Sequence, residues 1–134
     1  MPHPAAHLLD APLDHLARLS DDEANDLTRL LDSAATTQDV PPHRVARARA
    51  GLALRVGDPG ATARWLMDVW RPGRPVGPAL SMLLEDGLET VAHAIARDAW
   101  SDPTCPDRHA AAAVMRQVTD QRRRTLGLPS TLTA

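Results

Sequence analysis

The sequence predicts an all-α fold, a compact bundle or short solenoid of six to seven helices. Three observations carry that expectation. The chain has no Phe or Tyr and a single Ile, so strand-favouring residues are scarce, while 23 Ala and 18 Leu supply the strongest helix formers. Leu and Ala recur at helical spacing along most of its length. Capping signals and breaks rich in Pro and Gly separate these stripes at intervals suited to short helices. All 15 basic residues are Arg and none is Lys, a bias that fits a GC-rich bacterial coding sequence.

Residues 1–9 read as a disordered arm, because Pro2 and Pro4 block helix. Asp10-Ala-Pro12 then opens a short helix with the stripe Leu13, Leu16 and Leu19. Ser20-Asp-Asp-Glu23 is a capping box for a helix running to about Ala35, with Ala24, Leu27, Leu30, Leu31 and Ala34 on its apolar side. Asp39 caps a third helix that tolerates Pro41 and Pro42 in its first turn. Its expected buried stripe is Val45, Ala48, Leu52 and Val56, and Gly57 stops it.

Asp58-Pro59 starts a fourth helix through Trp70. It is apolar on most sides (Ala63, Trp65, Leu66, Met67, Val69, Trp70), which places it at the centre of the bundle. Residues 71–78 hold three Pro and two Gly and read as a hinge-like loop. A short helix over Ala79–Glu85 follows, then one over Leu88–Trp100 with Leu88, Val91, Ala92, Ile95 and Ala99 on one face. Thr104 is read as the cap of the last helix, whose Ala111, Val114, Met115 and Val118 face inward; Gly127 ends it, and 128–134 is a frayed tail. Segments 27–54 and 91–118 share the order helix, polar linker, Pro-start helix, as an internal repeat of hairpins would.

At 134 residues the chain is expected to be a single domain. Its net charge of -2 argues against a generally basic surface for nucleic acid or anionic membrane. One Cys excludes an internal disulfide and a Cys-based zinc site. The opening MPHPAAHLLD is no secretory signal, and no stretch nears the roughly 20 apolar residues of a membrane span, so a cytoplasmic location is expected.

Catalytic constellations are missing, and no enzyme, cofactor or metal is predicted. Of three Glu, Glu23 serves the capping box, and Asp10, Asp39, Asp58 and Asp107 fall at helix starts. No Gly-rich phosphate loop follows a strand, and no Ser has a nucleophile-elbow context. His3 and His7 lack the helix that would align them as ligands, and His43, His109 and Cys105 make a metal set only if two helix starts converge. Cys105, beside Pro106 and four residues before His109, is the one candidate nucleophile, since a helix N-terminus lowers a thiol pKa. Glu89, His93 and Arg97 read as a solvated surface row.

Arginine carries the remaining signal. Arg44, Arg47 and Arg55 fall within an arc of about 80° on the third helix. Arg116, Arg122, Arg123 and Arg124 make the end of the last helix basic. Arginine suits phosphate, but at a helix C-terminus it also complements the dipole. The stretch Pro106-Asp-Arg-His-Ala-Ala-Ala-Ala-Val114, after Ser101-Asp-Pro103, resembles helical segments of actinobacterial phage small-terminase proteins, and no residue role carries over from it.

The leading expectation is a non-enzymatic helical protein-interaction module or adaptor, with Leu8 and Leu9 among its apolar contacts. The alternative is a phage- or plasmid-type nucleic-acid-associated protein that uses the seven arginines above. A homodimer fits either reading, because a thin core gains stability by association.

Overall fold

The computed structural model describes residues 5–33 and 40–127. The fold is all-α, as the composition predicts. It has seven α-helices and one 3-10 turn, and no strand among the described residues. No helix among these residues is long and apolar enough to cross a membrane. The chain forms two compact units, Met1–Val69 and Trp70–Ala134.

The first unit contains the 3-10 turn Ala6–Asp10, α1 (Leu13–Leu16), α2 (Asp21–Asp32), α3 (Pro42–Arg55) and α4 (Pro59–Met67). The Ser20 capping box is in place: Ser20 Oγ accepts from the Glu23 N–H at 3.2 Å, and Glu23 Oε1 accepts from the Ser20 N–H at 3.3 Å. That backbone bond, then the Ser20 hydroxyl, holds the Glu23 carboxyl below its ordinary value. The stripes of α1 and α2 are buried together with Leu8, Leu9 and Ala48.

Residues 5–9 therefore do not belong to an arm. Burying Leu8 and Leu9, worth roughly 1.5–3 kcal/mol each, outweighs the poor helix propensity of a Pro-rich start. Residues 1–4 lie outside the described residues. So do the expected end of α2 at Ala34–Ala35, the Asp39 cap and the tail 128–134. Pro41 stands at the N-cap position of α3, with no side-chain cap.

The hub of this unit is α3 rather than α4. It packs against the 3-10 turn, α1, α2 and α4. Of the expected Val45/Ala48/Leu52/Val56 stripe, Ala48 is buried and Val45 and Leu52 pack partly buried against the core, but the buried face is wider and shifted toward small residues. Ala46, Arg47, Ala48, Ala50, Gly51 and Ala53 are buried, whereas Val56 is 71% exposed. The physical reason is backbone approach: leucines projecting from neighbouring helices fill the space above a face of small residues. A Cβ on Gly51 would lie 2.8 Å from Leu16 Cδ1.

The helix expected at the centre, α4, ends at Met67, short of Trp70. It buries Thr62 and Leu66 and leaves Ala63, Arg64 and Met67 exposed. Its half-buried Trp65 carries the Arg49 guanidinium over its ring at 5.2 Å.

The second unit contains α5 (Gly77–Glu85), α6 (Glu89–Trp100) and α7 (Arg108–Thr125). Leu80, Leu83, Ile95, Val76 and Val118 are fully buried, with Ala92, Ala96, Ala99 and Ala111 packed between helices. α6 and α7 run antiparallel: Arg122 reaches Thr90 at the start of α6, and Arg108 reaches Trp100 at its end. α2 and α3 share only a slight contact, so segments 27–54 and 91–118 are not equivalent hairpins.

What recurs is a helix corner. The Asp58 N–H donates to Ala53 O at 3.0 Å and the Leu88 N–H to Leu83 O at 2.9 Å, with Gly57 and Gly87 at φ 77° and 74°. Both are Schellman stops, at which a left-handed residue ends one helix and the next begins at once.

Candidate interaction surface

The structure separates the seven candidate arginines into two sets. Those on α3 serve the fold. The Arg44 guanidinium donates to Asp10 Oδ1 at 2.7 Å, and Arg47, buried, donates to Leu9 O at 3.4 Å. Arg55 donates to Leu19 O at 2.8 Å and pairs with Asp21. Arg49, outside the predicted arc, does likewise: it donates to Leu31 O at 3.1 Å and lies 3.8 Å from Asp32. Leu9, Leu19 and Leu31 all sit at or just past the ends of helical segments, where carbonyls lack intrahelical partners. α3 thus supplies arginine caps to three neighbouring chain ends. The sequence pattern of a basic face is real, but its chemistry is internal.

The arginines of α7 differ. Arg116, Arg122 and Arg124 are exposed and Arg123 is half-buried. Arg122 makes one long contact, 3.5 Å to Thr90 Oγ1, and Arg124 lies 3.7 Å from Asp120. Asp120 is the sole acidic residue of α7 and is fully buried.

The break between residues 71 and 76 is fastened to the turn before α7. Asp107 accepts from the Val76 and Gly77 N–H groups, each at 2.8 Å, and so caps α5 from 30 residues away. Asp102 accepts from the Gly73 N–H at 2.8 Å and from the Thr104 hydroxyl at 2.7 Å. Thr104 therefore does not cap the last helix, which starts at Arg108 after Asp107. Burial pushes the Asp107 carboxyl upward, but the two backbone donors and the Cys105 thiol outweigh it and hold the group below its ordinary value. Asp102 is lowered by Thr104 first and Gly73 next.

Cys105 belongs to this fastening. Its Sγ lies 3.4 Å from Asp107 Oδ1 and 3.6 Å from Arg74 O, and burial pushes the thiol pKa up. The helix-start activation expected from the sequence fails because the nearest charge is a carboxylate and the thiol is enclosed. Cys105 is expected to react with iodoacetamide at neutral pH far more slowly than in urea; rapid labelling of the folded chain contradicts this.

His43, half-buried, is pushed below its ordinary value by burial and by Arg44 and Arg47, while His109 is exposed. Among the described residues, no three His, Cys, Asp or Glu side chains gather to hold a metal ion.

One concave feature among the described residues was not legible in the sequence. An open cleft of about 410 Å³ lies where α7 ends beside the start of α6, lined by Glu89, Gln121, Arg122, Thr125 and Leu126. Leu126, just before the Gly127 stop, is 73% exposed. Arg122 and Leu126 share a side of the helical turn by their four-residue spacing, but only the antiparallel pairing of α6 with α7 brings Glu89 opposite them. Trp100, also exposed, differs: the Arg108 guanidinium lies 4.8 Å over its ring and donates to its carbonyl. Comparison of the chain with protein-family models, curated proteins and solved structures yields no match.

Proposed function

We propose that this protein is a non-enzymatic interaction module of the cytoplasm that docks a partner protein on the cleft between the start of α6 and the end of α7. The observation that carries this reading is Leu126, a large apolar side chain 73% exposed on the wall of a concave surface. The rest of the cleft's lining is polar (Glu89, Gln121, Arg122 and Thr125), and an apolar contact rimmed by polar groups is the form a partner site takes. Leu8 and Leu9, the apolar contacts expected from the sequence, are core residues and contribute nothing to such a surface. The test is affinity capture with in-cell cross-linking, comparing the natural chain with Leu126→Asp. A partner set retained by the first and lost by the second is expected; identical partner sets overturn the cleft as the docking surface.

A second reading, nucleic-acid association, draws support from the exposed Arg116, Arg122 and Arg124. It is narrower than the sequence suggested, since Arg44, Arg47 and Arg55 have internal partners. Phosphate binding weakens steeply with salt, so a duplex-DNA titration at rising salt separates the two readings.

A further inference from the structure

We draw no further inference here: the strongest candidate, the cleft between the start of α6 and the end of α7, belongs to the site already described, and its described lining sets Arg122 against Glu89 beside one exposed Leu126, so nothing in the structure shows what covers it.

Discussion

Gly51→Ala is expected to destabilise the first unit by about 1–3 kcal/mol, the reverse of what helix propensity alone dictates. Inside an exposed helix, alanine is favoured over glycine by about 1 kcal/mol. Here the added methyl meets Leu16 Cβ first, an atom fixed to the α1 backbone, with Cδ1 and Cγ 2.8 and 3.1 Å away. Leu16 is 0% exposed within a packed core and has nowhere to swing. Overpacking of this kind costs about 1–3 kcal/mol and wins over propensity.

The double variant Gly51→Ala/Leu16→Gly provides the internal check, because Leu16→Ala would keep the Cβ that stands nearest the added methyl. Leu16→Gly alone leaves a cavity costing roughly 2–5 kcal/mol or more, and the methyl at position 51 should refill part of it. A thermodynamic cycle from urea unfolding should show a favourable coupling between the two sites. Additive effects, or a stabilising Gly51→Ala, would show that α1 and α3 approach less closely than described.

Asp107→Ala is expected to cost the second unit roughly 2–4 kcal/mol, because two backbone N–H groups lose a charged acceptor at once. The lower end applies if solvent reaches Val76 N and Gly77 N, since the carboxylate is only half-buried. Asp107→Asn should cost nearly as much: its amide offers one oxygen and turns N–H donors toward the other N–H. Hydrogen exchange should report the loss at residues 73–77 first, with the centre of α6 keeping its protection.

The pH dependence has a fixed sign. The folded carboxyl lies below the ordinary aspartate value of 3.8. Its contribution is therefore complete above pH 3.8 and is lost as pH falls through the folded value. The gap between the natural chain and Asp107→Asn, measured by urea unfolding, should be full at pH 7 and shrink below pH 3.8. A gap that stays constant into acid would mean the carboxylate charge is not what holds the loop.

Local chemistry was readable from the sequence because it acts over three or four residues. The Ser20–Glu23 box, the Leu13/Leu16/Leu19 stripe and the Gly57 and Gly87 stops all stand where spacing places them. The all-α class follows from the same local terms, summed over an Ala- and Leu-rich chain.

Periodicity failed where it had to rank one helix against another. Side-chain hydropathy favours the Trp-bearing α4, apolar on most sides, yet close approach favours α3, whose buried face is largely Ala and Gly. Likewise, Arg44, Arg47 and Arg55 share an arc whether they meet phosphate or carbonyl oxygen. Only the positions of Leu9, Leu19 and Asp10 in space show which.

Sequence alone sets the helical class and those limits that rest on local chemistry, such as the Ser20 box and the Gly57 and Gly87 stops, since capping, turn chemistry and propensity are short-range. Tertiary structure decided which face of each helix is covered, which charges are used internally, and that Glu89 stands opposite Arg122 and Leu126. Those outcomes depend on contacts between residues 30 or more positions apart. Their energies arise from packing density and from orphaned carbonyl and N–H groups finding partners, quantities that no residue carries alone.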